Sequence, residues 1–347
     1  MAFIHQKPEW PNFTWNHDAL AGRLAEVRYH QGLLLGRMKS LGFDLRSEAA
    51  LSTVISDVMK SSAIEGEFLD PEQVRSSVAR HLGLETGGQV FVGRDVEGIV
   101  EIMTDATRRY REPLTAARLC DWHAALFPAG RSGMTRITVG ASLDTEVSRF
   151  LDWINSEEGT DPVLKAGTTH FWFVAIHPFD DGNGRIARAI ADMLLARADG
   201  IADRFYSMSS QIESERNEYY RQLEVQQRGD MDLTPWLQWF LGCLDRSFER
   251  AGASLEHVVY KGCVRHAIGA IPANERQRKV VERMLDHFQG YMHTSKYARM
   301  ATCSTDTALR DIRDLVEHGI LIRNPRGGRS TSYRLASTGE LERVSNL

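Results

Sequence analysis

The chain has 347 residues, with 42 Lys and Arg against 46 Asp and Glu and a net charge of −4. That balance excludes a general polyanion binder, and the length allows two or three domains with at least one sizeable core. Cys120, Cys243, Cys263 and Cys303 form no Cys-x-x-Cys pair, which argues against structural zinc and fits a reducing compartment.

Residues 1–15 carry Trp10, Pro11, Phe13 and Trp15 and no apolar leader segment; they are expected to lie irregularly on a helical body. No run of about 18 apolar residues occurs, so a cytoplasmic chain without a membrane span is expected. A first helix is predicted over 18–38, with Leu20, Leu24, Val27, Leu34 and Met38 on or near one face. Gly42 breaks it. A second follows over 47–64, striped by Leu51, Val54, Ile55, Val58 and Met59. It runs out in Ser61-Ser-Ala-Ile-Glu65-Gly66, which by itself reads as a helix end with a solvated Glu and a capping Gly. Asp70-Pro71-Glu72-Gln73 opens a third helix as cap, first-turn Pro and capping-box Gln. Helices are predicted over 96–110 and 115–126. Residues 135–139, Thr-Arg-Ile-Thr-Val, are the best strand candidate before the C-terminal region, and Ser142 to Glu146 read as the start of the next helix.

Residues 177–188 read His-Pro-Phe-Asp-Asp-Gly-Asn-Gly-Arg-Ile-Ala-Arg. Pro178 disfavours helix at His177, so the helix through 171–176 should stop there. Asp180, Asp181 and Gly182 make a tight loop. Asn183 suits an N-cap for a new helix with Ile186, Ile190, Met193 and Leu194 inward, ended by Gly200. The free N–H groups at that helix start, flanked by Gly182 and Gly184, form a nest for an anion. Arg185 and Arg188, three apart, can reach the same anion. Asp181 suits Mg²⁺ beside phosphates, and His177 is a candidate base at the mouth of the nest.

This string resembles the signature of the Fic family, His-Pro-Phe-x-Asp/Glu-Gly-Asn-Gly-Arg-x-x-Arg, at every signature position. The resemblance implies transfer of AMP from ATP to a protein hydroxyl, with ATP and Mg²⁺ bound by Asp181, Gly182, Asn183, Gly184, Arg185, Ile186, Ala187 and Arg188. Asp181 would hold the metal and Arg188 would meet the γ-phosphate. His177 would take the proton from a Ser, Thr or Tyr hydroxyl as it attacks the α-phosphorus. The family's inhibitory signature, Ser/Thr-x-x-x-Glu-Gly/Asn, is similar to Ser61, Glu65 and Gly66, which implies that Glu65 pairs with Arg188. Fic proteins carry a β-hairpin flap near residues 135–139 that pairs with an extended target segment. In this sequence the second half of the hairpin is missing, so the flap reads as truncated. The charged helix expected over 213–227 resembles the family segment closing over adenine and ribose, which implies contacts from Tyr219 and Gln227. His170, seven residues before His177, reads as a core or hydrogen-bonding histidine, since no third metal ligand is spaced with it.

Thr234-Pro235-Trp236 starts another helix, and 255–271 continues helical to Pro272. Residues 274–336 predict three helices, over 275–288, 295–300 and 304–318, then strands at 320–323 and 330–335. This looks like a winged helix-turn-helix. The region holds 12 Lys and Arg against 7 Asp and Glu. Arg323, Arg326 and Arg329 sit on the wing, and Arg310 and Arg313 on the recognition helix, a footprint for phosphate contacts. Asp306, Asp311 and Asp314 on the same helix oppose it, so DNA and protein docking both stand as readings.

The fold expected is mainly α: a Fic helical core with a short, truncated β-flap, plus a C-terminal winged helix-turn-helix. Residues 1–45 form an N-terminal helical segment, 46–272 the catalytic domain with its inhibitory helix at 47–66, and 273–347 the winged helix and tail. The function expected is protein adenylyltransferase, held back by Glu65, with target proteins and the chain itself as candidate acceptors; a homodimer stays open. Three alternatives compete. A Doc-type phosphotransferase would place Lys where this chain has Gly184, and a side chain there would crowd the nest. Removal of AMP would use Glu65 to orient water. A winged-helix transcriptional regulator would carry a quiet Fic domain.

Overall fold

The computed structural model describes residues 3–345 apart from 85–89, 128–140, 158, 286–287, 289 and 326–330. The chain divides into two compact units, Met1–Gly252 and Ala253–Leu347. The strand expected at 135–139, and with it the flap, lies outside the described residues, as do Arg326 and Arg329. No helix among the described residues is long and apolar enough to cross a membrane.

The first unit holds, in order, α1 (His17–Lys39), α2 (Phe43–Ile64), α3 (Pro71–His81), α4 (Arg94–Arg108), α5 (Ala116–Leu126), α6 (Ala141–Asn155), α7 (Pro162–Ile176), α8 (Asn183–Asp199), α9 (Met208–Ser214), α10 (Arg216–Gln227) and the start of α11 (Thr234–Gly269). The start signals act mostly as the sequence suggests. Asn16, Asp70, Thr115 and Asp161 each cap the following helix through a side-chain oxygen. The capping box at α3 does not form: Asp70 takes the N–H groups of Glu72 and Gln73, while the Gln73 amide oxygen accepts from Gly93 N at 2.9 Å. Helix α2 begins at Phe43, before Ser47, without a side-chain cap. The charged helix expected over 213–227 is broken at Glu215, whose carboxylate is held by Arg246 Nε and Nη2 at 2.6 Å each. The two helices expected after Thr234 are one, α11.

The α7–α8 hairpin is the centre of this unit. Every residue of α7 from Val163 to Phe173 is buried, as is almost all of α8 through Ala196. A helix buried all round belongs in a core, and α7 is mostly apolar, with Lys165, Thr168, Thr169 and His170 buried among its apolar residues. Gly167 lets α11 close on α7: a Cβ there would lie 2.9 Å from Leu237 Cδ2 and Phe240 Cδ1. The N-terminal segment packs on α7 through aromatic edges, with Trp10 and Phe13 at 6.3 and 5.4 Å from the Trp172 ring.

Beside α8 lies a buried polar cluster. Arg204 Nη1 binds Asp199 Oδ2 at 2.8 Å, and its Nη2 binds Asp192 Oδ1 at 3.2 Å. Tyr206 donates to Asp199 Oδ2 at 2.9 Å. Asp57 of α2 accepts from the Ser207 hydroxyl, and Ser56 pairs with Ser210 at 2.7 Å. Burial pushes the Asp57 carboxyl well above the usual range, with Asp192 adding to it.

The second unit contains the end of α11, then α12 (Glu275–Leu285), α13 (Thr294–Ala301), α14 (Thr305–Glu317), β1 (Leu321–Arg323), β2 (Tyr333–Leu335) and α15 (Thr338–Ser345). Strands β1 and β2 are antiparallel, with Leu321 opposite Leu335 and Arg323 opposite Tyr333. Val264 and Ile268 of α11 join Val280, Val281, Ile312 and Leu315 in one core. That packing is why this unit starts ahead of Pro272. The expectation that Asp311 opposes DNA is corrected. It is buried and accepts from Asn274 Nδ2, Arg276 Nε and Tyr297 at 3.1–3.2 Å.

Candidate active site

The site is the turn between α7 and α8 together with the end of α2. Helix α7 stops where Pro178 requires, and His177 caps it in the left-handed region at φ 50°, ψ 59°, its N–H bound to Phe173 O. That geometry is rare for a residue with a side chain and costs about 1 kcal/mol or more. The imidazole is exposed at the surface.

The loop is then clasped from within. Asn183 is the first helical residue of α8, and Gly182, at φ 82°, takes the cap position. The Asn183 side chain accepts from Phe179 N at 3.0 Å and donates to Phe179 O at 2.6 Å, closing the loop on itself. It therefore fixes the turn's shape, a different task from the N-cap its sequence position suggested. Asp181 is exposed, and its Oδ1 takes the Gly182 N–H at 2.6 Å. A Cβ on Gly182 would stand 2.9 Å from the Phe127 ring, in a conformation side chains rarely adopt. Ile186 and Ala187 are fully buried, and Ile186 N–H bonds to Gly182 O. The N–H groups facing outward are therefore those of the first turn, Asn183 to Arg185, which helix geometry leaves without intrahelical partners.

Both arginines of the signature meet carboxylates from α2. At its end, Gly66 N–H bonds Ala63 O and Glu67 N–H bonds Ser62 O, with Gly66 at φ 86°. This is a closing turn with a left-handed glycine. It presents Glu65 to Arg188 Nη2 at 2.8 Å and Glu67 to Arg185 Nη1 in direct contact. Arg188 is almost wholly enclosed, its side chain 1% exposed against 30% for Glu65. Ser61 completes the enclosure, its hydroxyl accepting from Arg188 Nε at 2.9 Å and its carbonyl from Nη2 at 2.8 Å. Gly184 makes room: a Cβ there would lie 2.1 Å from Glu65 Oε1. Ser61, Glu65, Gly66, Gly184 and Arg188 are thus brought together, with Glu65 on Arg188 as the resemblance implied.

Tyr219 is placed differently. It is 1% exposed and sits beneath the site, its hydroxyl 2.9 Å from His170 Nε2. Its neighbour Tyr220 reaches the surface, with its hydroxyl 3.3 Å from Ile64 O and 3.4 Å from Glu65 Oε2. Gln227 is half-buried at the last residue of α10. His170 is a buried hydrogen-bonding histidine. Burial, with the Arg188 charge, pushes its pKa down to about 3.

Four contributors carry no signature of their own: Glu67, Tyr220, His123 and Phe127. His123 lies flat on Phe179, with ring centroids 4.2 Å apart and 8° between planes, and burial lowers its pKa. Arg185 lies 5.4 Å over the Phe127 ring. The only available sequence signal was that His123 and Phe127 share a face of α5 at i, i+4 spacing.

No group of three or more His, Cys, Asp or Glu among the described residues is arranged to hold a metal. Asp181, a single exposed carboxylate beside a phosphate-sized nest, fits Mg²⁺ held jointly with phosphate oxygens, where no protein cage is needed.

Comparison with known proteins points to one family for the segment that carries this turn. Residues 113–195 match the model of the Fic/DOC family. The signature at 177–188 lies inside that match. Residues 3–84 match a second model, described as a domain of unknown function (DUF4172), which includes the Glu65 helix. A protein adenylyltransferase Fic of Culex quinquefasciatus is 27% identical over 232 residues, covering 59% of this chain and 43% of that protein. One of Drosophila grimshawi is 32% identical over 209 residues, covering 55% and 41%. The chain spans under half the length of these curated relatives. Among solved structures, a Fic family protein from Desulfovibrio desulfuricans G20 shares the fold over 94% of this chain and 98% of its own, with a TM-score of 0.54 and 20% identity. A Fic domain-containing signaling protein from Bacteroides thetaiotaomicron aligns over 67% of this chain and 98% of its own, with a TM-score of 0.50 and 19% identity.

Proposed function

We propose that this chain is a protein adenylyltransferase that moves AMP from ATP to a Ser, Thr or Tyr hydroxyl, and that Glu65 holds it back. The observation that carries the reading is the turn itself: an exposed His177 beside the free N–H groups of Asn183 to Arg185, with two enclosed arginines behind them. The relatives named protein adenylyltransferase support the same chemistry.

In this mechanism the N–H groups of Asn183, Gly184 and Arg185 and the Arg185 guanidinium bind the α- and β-phosphates. Arg188 takes the γ-phosphate once Glu65 leaves it. Asp181 would hold Mg²⁺, which when bound neutralises charge on the phosphates. His177 accepts the hydroxyl proton as the oxygen bonds to the α-phosphorus; the bond from that phosphorus to the bridging oxygen breaks and pyrophosphate departs. Positioning and charge neutralisation supply most of the rate, and the base about 10²–10⁴-fold. The second unit, with Arg310 and Arg313 exposed on α14, serves as a docking module for DNA or a protein partner.

The test is incubation of the Glu65→Gly protein with α-labelled ATP, Mg²⁺ and cell lysate, with and without His177→Ala. Label should appear on protein with His177 and vanish without it, while both proteins still bind ATP. Equal labelling in a single turnover would remove His177 from the base role. Loss of label from a previously modified protein would favour AMP removal.

A further inference from the structure

The resemblance to the inhibitory signature accounts for one acid, Glu65; the structure contains two. Glu67 lies two residues on, past Gly66, and its carboxylate touches Arg185 Nη1. Arg185 is enclosed, 6% exposed, and held over the Phe127 ring, while Glu67 is 49% exposed. The backbone fixes this arrangement. Glu67 N–H bonds Ser62 O at 3.0 Å across a left-handed Gly66. The turn therefore sends the side chains on either side of the glycine to two different guanidiniums on α8.

Those guanidiniums have separate tasks under the proposed function, on which this inference rests. Arg185 serves the α- and β-phosphates, and Arg188 the γ-phosphate. We propose that Glu67 is an affinity-setting residue of the nucleotide site: a stand-in anion on Arg185 that any diphosphate must displace, acting separately from Glu65. Arg185 sits at the mouth of the N–H nest and has no other carboxylate partner among the described ion pairs. A phosphate oxygen and the Glu67 carboxylate seek the same Nη1 donor, so binding exchanges one anion for the other. Glu67 is half-solvated, so its release costs little and the site stays open to ligand. It tunes affinity without blocking the site. Glu65, by contrast, lies on Gly184 and over Arg188, where it disturbs the alignment of the triphosphate.

The two acids should therefore separate by ligand. Calorimetric titration with ATP and with ADP, Mg²⁺ present, is made on the full chain as wild type, Glu67→Gln, Glu65→Gly and the double variant. Glu67→Gln should tighten ATP and ADP alike, by about 1.5- to fivefold, the range of a half-exposed ion pair. Glu65→Gly should tighten ATP more than ADP, because ADP lacks the group that Arg188 meets. Added salt should shrink the Glu67 effect. Equal affinities of wild type and Glu67→Gln for both nucleotides, or a gain confined to ATP, would overturn this role for Glu67 while leaving adenylyl transfer standing. No nucleotide binding by any of the four proteins would overturn the proposed function, and the Glu67 role with it. Glu67→Gln keeps the side chain's size at a half-exposed position, so folding is retained; a melting curve matching wild type verifies this.

Discussion

Replacing Glu65 by Gly should raise the rate of AMP transfer and lower stability at the same time. The contact removed is a charge-assisted bond at 2.8 Å to an enclosed guanidinium. Such bonds are worth about 1.5–3 kcal/mol, and the partial exposure of Glu65 argues for the lower end. At about 1.4 kcal/mol per factor of ten, freeing Arg188 for the γ-phosphate gives at least about tenfold in turnover. Recovered alignment of the α-phosphorus can carry it toward about 100-fold. The same change strips Arg188 of its carboxylate while the Ser61 hydroxyl and carbonyl still hold it, so the ligand-free protein should lose about 1–2 kcal/mol, or a few degrees of melting temperature. Initial AMP incorporation at saturating ATP is measured for both proteins, with melting curves with and without ATP. The stability deficit should shrink when ATP supplies the missing anion. A variant no faster than wild type would refute the reasoning, and Glu65 would then read as a solvated helix end or a water-orienting group.

His170 offers a pH test. Its folded pKa is depressed to about 3 from the ordinary 6.5, so the unfolded chain binds more protons between those values. Its contribution is full above about pH 6.5 and is lost as the pH falls toward 3; the urea midpoint should drop from pH 7 to pH 5, and His170→Gln should flatten that drop relative to wild type. For the second unit, the full chain should bind mixed-sequence duplex DNA weakly at about 50 mM salt, and Arg310→Ala with Arg313→Ala should reduce the salt slope by about two. Absence of binding at that salt would point to a protein partner instead.

Local chemistry made much of this legible. Pro178 after His177, Gly182 and Gly200 each act through their own backbone limits, so the α7 stop and both ends of α8 could be read from the chain. The start of α2 and the break at Glu215 could not. Arg246, which holds Glu215, comes from 31 residues away in sequence, and no local propensity records it. At the site, Pro178, the glycines and the paired arginines were legible from the residues themselves, whereas Glu65 and Tyr219 were implied by the family resemblance. Two adjacent tyrosines on a charged helix differ only in which one packing buries, so nothing local marked Tyr220. Asn183 was a good cap by type, and its amide was taken by Phe179 instead. Glu67 was hidden for a similar reason: a surface glutamate becomes a site residue only when a glycine turn points it at an arginine on another helix.

Under the proposed function, the cluster around Arg204 constrains how the enzyme would be switched on. Asp57 is one turn before Ser61 on α2, and Asp192 is one turn after Arg188 on α8. Both side chains belong to the buried polar cluster around Arg204 and Ser207, immediately beneath the Glu65–Arg188 contact that activation would break under the proposed function. Prying α2 away whole would expose Asp57, Asp192 and Arg204 together, a far larger penalty than turning one carboxylate aside. An activating partner or modification should accordingly work on the few residues around Gly66, much as a latch is lifted while its hinge plate stays screwed to the door. Hydrogen exchange during activation should quicken at 63–67 and stay slow at 54–58.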